Sequence, residues 1–472
     1  MKKILVMLLV LAMVFSLVAC GGNNANENNN ENVVANENNA PANTGNENTK
    51  ENEDEPEVVE PSEPKVLNLL ESSNITSLTT WQATDSVSFN ILGNINGGLY
   101  TLGEGGVPVG DMAQSVDISA DGLTYTFKLK DANWSTVDGE VYAPVTAHDF
   151  VFTWKKLLDP AEASQYAFMI STASIKNGKE AVALNEKLIG YESDVENLET
   201  MDPANYEDTD DATAKEQYDA AKSAAEESIA EQKAEFEAEY GSVEGAFAKI
   251  VELQNSLGVT AVDDHTLVVE LSNPVPYFID LMSFPSFFPA SEKFYNEQGD
   301  AYAKSNDSFL YNGPFIFKEW KLSERHYLVK NENYWDAANV ALDAVDFRVI
   351  EGVSNDTSVQ MYLDGEIIGS SLSGENVEKY GNRPDMVNLE DVVLFYLEVN
   401  QGKGEMTTTK QLLSDVRARK AINMAIDKTY ITDVIYANGS LPADYFVPKG
   451  FVGSADHENK DWRQVAEDMY GA

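Results

Sequence analysis

Asp121-Gly122-Leu123-Thr124-Tyr125-Thr126-Phe127-Lys128-Leu129-Lys130, followed after a loop by Pro144-Val145-Thr146-Ala147-His148-Asp149-Phe150-Val151-Phe152-Thr153-Trp154, is the stretch that decides the fold. Its first half opens on an Asp-Gly turn and then alternates Leu123, Tyr125, Phe127 and Leu129 with Thr124, Thr126, Lys128 and Lys130. A period of two, with one oily and one wet face, predicts a half-buried strand. In the second half Thr146 is placed to cap a helix and Asp149, three residues on, to answer it. That helix is expected to stop at Asp159-Pro160. Phe150, Trp154 and Leu157 or Leu158 recur at helical spacing, so the helix is expected to dock an apolar stripe on the preceding strand.

The chain around this unit has 472 residues, enough for two or three domains with substantial cores. A formal charge of −45 and a pI near 4.2 oppose binding to nucleic acid or to anionic lipid headgroups. Much of the acidity lies in a leader segment and in a helical insertion, which reads as solvated surface rather than a cation-binding field. A single cysteine excludes disulfides within the chain.

Met1 to Ala19 carries Lys2 and Lys3 and then an apolar run from Ile4 to Val18, the pattern of a secretory signal peptide and short for a membrane span. Leu17-Val18-Ala19-Cys20-Gly21 resembles a bacterial lipobox, which implies a diacylglyceryl thioether on Cys20. Gly22 to Pro64 is rich in Asn and Glu with almost no large apolar residue, so burial cannot offset chain entropy and a disordered tether over 21–64 is expected. Random-coil scaling gives such a segment an end separation of about 35 to 40 Å.

The ordered string "DGLTYTFKLKDANWS…PVTAHDFVFTWKKLLDP…SQYA" resembles the extracytoplasmic oligopeptide-binding proteins of bacterial ABC importers, extracellular solute-binding protein family 5. Further markers follow in sequence: Val259 to Phe278 ("GVTAVDDHTLVVELSNPVPYF"), Asn312 to Trp320 ("NGPFIFKEW"), Lys330 to Asp336 ("KNENYWD"), Tyr362 to Ile367, and Asp415 to Asp427. The resemblance covers essentially Lys65 to Asp461. It implies an α/β, two-lobed periplasmic-binding-protein-like fold of the class II type, with an extra small lobe and an inserted helical hairpin. The lobes are expected as residues 65–105 and 266–349 for the first lobe, 106–265 for the small lobe, and 350–472 for the start of the second. Family members continue well beyond this point, so a truncated second lobe and a poorly cooperative melt are expected.

The same resemblance supplies the candidate ligand residues. Thr84, Asp85 and Ser86 match the cleft loop of the family opening, although Thr79-Thr80 stands where the family has Asp-Pro and Gly97 where it has Glu. On the residues alone they could equally be a surface turn. Tyr166 matches a tyrosine near the ligand, or simply packs on a helix. Asn312 sits where a turn amide can face the cleft, or serves a structural glycine turn. Tyr396 and Asn400 fall on an expected strand, Val393 to Asn400, as ligand or core residues. Helix 415–427 is expected to turn Val416, Ile422, Ala425 and Ile426 inward.

Asn177 to Gly258 is longer than the corresponding family segment. In Asp211 to Tyr240, residues Tyr218, Ala225, Ile229, Phe236 and Tyr240 follow a 7-4-7-4 spacing, one narrow stripe on a long helix. A second helix, Val243 to Leu257, completes a hairpin. Asp208-Thr209-Asp210-Asp211 lacks the spaced Gly and terminal Glu of a calcium loop, so no metal site is expected. The four histidines, His148, His265, His326 and His457, have no metal or nucleophile-base spacing. No catalytic residue, cofactor or enzyme activity is expected. The reading is a lipid-anchored receptor on the extracellular face of the membrane, of Gram-positive type, passing oligopeptides to ABC permease subunits. Other solutes (a dipeptide, an oligosaccharide, a metal complex) or a signalling or adhesion protein using the hairpin are the alternatives.

Overall fold

The computed structural model describes residues 63–203, 211–389, 393–401, 412–443, 445–448 and 460–470. Cys20, the tether up to residue 62, Asp208 to Asp210 and His457 lie outside them. The described chain opens with β1 (Val66–Glu71) and α1 (Ser86–Ile95), then β2 (Ala113–Ile118), β3 (Thr124–Leu129) and α2 (Ala147–Lys156). Three helices follow, α3 (Gly178–Glu199), α4 (Asp211–Tyr240) and α5 (Val243–Asn255), before β4 (Val259–Asp263) and β5 (Thr266–Glu270). The chain then forms β6 (Phe315–Lys321), β7 (Arg325–Lys330), β8 (Ala344–Val349), α6 (Asn355–Leu363) and α7 (Val416–Ala425).

Two four-stranded sheets organise these elements. One has the order β1-β8-β7-β6, with β1 parallel to β8 and the remaining pairs antiparallel. Its buried face packs Phe317, Leu328, Val345 and Phe347 against Leu78, Ile91, Leu92 and Ile95. The other, β2-β3-β5-β4, is antiparallel throughout. Here the period of two is realised, since Tyr125, Phe127 and Leu129 are buried with Leu267 and Val269 in a separate core. β5 therefore belongs to the small lobe, and Phe278 and Phe287 pack in the same core. The expected lobe boundary at residue 266 falls too early, because the hairpin that closes this sheet returns after the insertion.

Thr146 and Asp149 form the expected capping box on α2, and Asp159 caps a short 3-10 turn at Pro160–Glu162. Phe150, Trp154, Leu157 and Leu158 are fully buried. The helix lies chiefly over β4 and β5 rather than on the preceding strand β3. It is fastened by the Ala147 amide to the Asp264 carbonyl, 2.8 Å, and by Trp154 Nε1 to the Phe287 carbonyl, 3.0 Å.

The insertion is a three-helix unit, not a hairpin. α4 buries Ile229 and Phe236 on the expected stripe, and α3 packs against both α4 and α5. Asp194 on α3 accepts from Ser228 Oγ at 2.9 Å and Gln232 Nε2 at 2.7 Å on α4. Leu184, Leu188, Ile250 and Leu253 continue the small-lobe core into the unit, so α3 and α5 are extensions of that core.

Beyond α6 the expectations of burial are not met. Residues 393–400 form no strand, and Phe395 is 81 % exposed. α7 forms with Asp415 as its cap, yet none of its residues is buried. A strand needs a neighbour for its backbone groups and an amphipathic helix needs a surface to cover. The described residues supply neither here.

Candidate functional site

The opening loop is built from a tight turn. The amides of Gln82 and Ala83 both donate to the Thr79 carbonyl, at 3.0 and 2.9 Å. Trp81 is driven fully inside, stacked on Tyr302 with ring centroids 5.8 Å apart and planes 7° apart, and edge-on to Phe152 and Tyr295. The chain then surfaces at Thr84. Asp85 caps α1, its carboxylate accepting from the Ser88 amide at 2.8 Å, from Ser88 Oγ at 2.6 Å, and from Thr76 Oγ1. Its charge is therefore committed to the helix start, while half-buried Thr84 and exposed Ser86 make no side-chain hydrogen bond among the described residues.

Tyr166 is brought to the same place. Its ring meets Phe89 of α1 edge-on at 5.4 Å and Phe284 at 5.1 Å. It is buried, and burial, with the Asp85 carboxylate as a smaller cause, raises its phenol above the ordinary value. Tyr166 thus packs through Phe89 on the helix that Asp85 caps, and it shares no side-chain hydrogen bond with Thr84 or Ser86 among the described residues. Asn312 has a different job in this structure. Its Oδ1 accepts from the Gly97 amide and its Nδ2 donates to the Gly97 carbonyl, both at 3.0 Å, inside the core. A Cβ at Gly97 would lie 2.6 Å from Asp111 Oδ2, so a side chain here would require that carboxylate to shift. A ligand reaches this amide only if that pair opens. Tyr396, 47 % exposed, has its ring 6.1 Å from Phe446, and it shares no hydrogen bond or ring contact with the opening loop among the described residues. Asn400 lies in the same segment, 393–401.

Two carboxylates, Asp111 buried and Glu162 nearly so, escaped sequence reasoning. Asp111 accepts from Tyr334 Oη at 3.0 Å and Trp335 Nε1 at 2.7 Å, joining the small lobe to the turn after β7. Burial raises its carboxyl despite those bonds and the nearby Lys130 ammonium, which sits 3.2 Å from the Trp335 ring centre. Glu162 accepts from Trp81 Nε1 and Gln82 Nε2 in the opening loop. Nothing local marks either residue among the 78 acidic ones.

Residues 107–470 match the family described as bacterial extracellular solute-binding proteins, family 5 middle. The chain belongs to that family, which comprises solute-binding proteins and not enzymes, with an α/β two-lobed fold. It is 27 % identical over 417 residues to the dipeptide-binding protein of Lactococcus lactis subsp. cremoris (strain MG1363), covering 87 % of this chain and 62 % of that one. It is 28 % identical over 387 residues to the oligopeptide-binding protein OppA of Bacillus subtilis (strain 168), covering 81 % and 56 %. Among solved structures, Listeria monocytogenes OppA bound to peptide aligns with a TM-score of 0.63 and 30 % identity, over 86 % of this chain and 65 % of that one. The substrate-binding domain of an oligopeptide ABC transporter from Bacillus anthracis str. Ames aligns with the same TM-score at 33 % identity, over 86 % and 63 %. The chain spans about three fifths of the length of the curated relatives it matches.

Proposed function

We propose that this chain captures oligopeptides outside the cell for a membrane ABC importer and is held at the membrane by a lipid on Cys20. The observation that carries the reading is the likeness to the peptide-bound Listeria receptor, together with an opening loop whose Thr84 and Ser86 hydroxyls are uncommitted. A peptide backbone offers a regular row of donors and acceptors to such groups, so affinity does not require one side chain. Closure of two lobes over the peptide is favoured to the extent that the ligand contacts both. Water in side-chain pockets then accommodates varied sequences.

The test is mass spectrometry of small molecules released on denaturing the full chain purified from its host. A ladder of mixed peptides is expected; a protein that binds no member of a random tetra- to hexapeptide library by calorimetry overturns the reading. A product confined to two residues favours the dipeptide alternative, which the name of the L. lactis relative supports. Cys20→Ser is expected to release the protein from the membrane fraction, and unchanged membrane retention removes the anchor from the proposal.

A further inference from the structure

Glu162 is the most heavily engaged side chain behind the opening loop. Its Oε2 accepts from Trp81 Nε1 at 2.8 Å and Gln82 Nε2 at 2.7 Å. Its Oε1 accepts from Tyr295 Oη at 2.8 Å and Lys156 Nζ at 3.0 Å. Its side chain is 11 % exposed, so one nearly buried carboxylate gathers four donors from three separated segments. Burial works against the Lys156 ammonium, but its bonds to Asp159 and Glu162 hold it above the usual lysine range.

The position of this carboxylate gives it a consequence for ligand capture. Trp81 and Gln82 lie three and two residues before Thr84, and Asp85 is fixed from the other side by Thr76 and Ser88. The segment 81–85 is therefore pinned at both ends, by Glu162 and by the start of α1, with Thr84 held between them. We propose that Glu162 is a positioning residue for peptide capture, a latch that fixes the opening loop to the small lobe so that Thr84 and Ser86 are presented in one geometry. This rests on the peptide-receptor reading. A loop fixed before the ligand arrives loses less freedom on binding, so the latch contributes to affinity without touching the peptide.

Glu162→Gln keeps the shape but replaces one acceptor oxygen by a donor facing donors. In the full chain it is expected to weaken binding of a defined peptide pool at least tenfold, measured well below the melting temperature on protein whose near-ultraviolet dichroism is native. Tyr295→Phe removes one donor and leaves both loop bonds, and is expected to stay within twofold of the parent. Equal affinity for Glu162→Gln and the parent overturns the proposal. Hydrogen exchange read at residues 79–88 tests the latch without any ligand. Faster exchange there in Glu162→Gln, with the strands β6 to β8 unchanged, is the expected result. Unchanged protection of 79–88 overturns the latch even if peptide binding itself is never observed, and a loosened loop in a chain that binds no peptide leaves the latch standing and discards the peptide reading.

Discussion

α2 and α7 are helices of the same length, ten residues each, and both start on a side-chain cap, Thr146 with Asp149 in one and Asp415 in the other. α2 hides Phe150 and Trp154 completely, while α7 leaves Val416 and Ile422 in solvent and Met424 85 % exposed. The difference lies outside both helices. α2 is covered by β4 and β5 from beneath and by Phe287 at 5.1 Å from Trp154, residues more than a hundred positions away. No residue of α7 is buried, and Phe395 and Leu397 are 81 % and 78 % exposed. Local pattern dictates the helix, and distant chain dictates whether its apolar face is buried.

The largest effect expected from this contrast is on stability. Trp154→Ala opens a cavity and removes the bond to the Phe287 carbonyl, and is expected to cost about 3–5 kcal/mol in denaturant unfolding followed by far-ultraviolet dichroism. Ile422→Ala is expected to cost less than about 0.5 kcal/mol. Comparable losses would break the comparison, since they would mean that α7 is covered in solution.

A second contrast sets buried polar groups with partners against one without. Glu162 has four donors, whereas His326, fully buried on β7, has no hydrogen-bond partner for either ring nitrogen. It lies across from Trp320 and Phe347 and edge-on to Phe317 at 5.6 Å. Burial lowers its pKa to about 4. The unfolded chain, with an ordinary imidazole, takes up its proton first as pH falls. The titration of His326 therefore contributes nothing above about pH 6.5 and destabilises progressively from there down to about pH 4, by roughly 1–3 kcal/mol in total. Asp149 acts in the opposite sense, because burial raises it to about 6 and the native state holds its proton longer, so its contribution weakens as pH rises towards 6. Unfolding of the parent and His326→Phe at pH 7 and pH 5 separates the two. The parent is expected to lose stability relative to His326→Phe at pH 5, and an unchanged difference between the two pH values would show that His326 is hydrated in solution.

What the sequence made legible was whatever had a local period. The alternation Tyr125, Phe127, Leu129, the Thr146–Asp149 cap and the α4 stripe through Ile229 and Phe236 all stand as read. α3 went unread because its inward residues, Ala181, Val182, Leu184, Asn185 and Leu188, are interleaved with Glu186 and Lys187 on a strongly acidic stretch. β5 was assigned to the wrong lobe because its partner β3 lies on the far side of the insertion. At the site, Asp85 caps the helix on which Tyr166 packs through Phe89, but Glu162 could not be found, since Trp81 and Tyr295 converge on it only after folding. The alternating Phe395 and Leu397 spelled a strand in a segment where the described residues offer no pairing edge.

The smallest expected effect tests whether the same rule, that partners outweigh pattern, holds on the surface. Between α3 and α4, half-buried Asp194 accepts from Ser228 and Gln232, and Lys187 reaches Glu235 Oε1 at 2.7 Å and Glu239 Oε2 at 3.6 Å while 40 % exposed. Removing Asp194 takes away the acceptor across the helix seam and leaves Ser228 and Gln232 only the Gln232 Nε2 to Ser228 Oγ bond of 3.1 Å between them, and Asp194→Ala is expected to cost about 1–2 kcal/mol. The Lys187 bridge is shared with water and with mobile ions, so Lys187→Met is expected to cost less than about 1 kcal/mol, and nearly nothing at about 1 M salt, where screening is short-ranged. Unfolding of both variants at low and high salt decides the matter. If Lys187→Met proves the more damaging at high salt, its methylene stem and not its charge packs the two helices together, and the seam is apolar where the charges suggested otherwise.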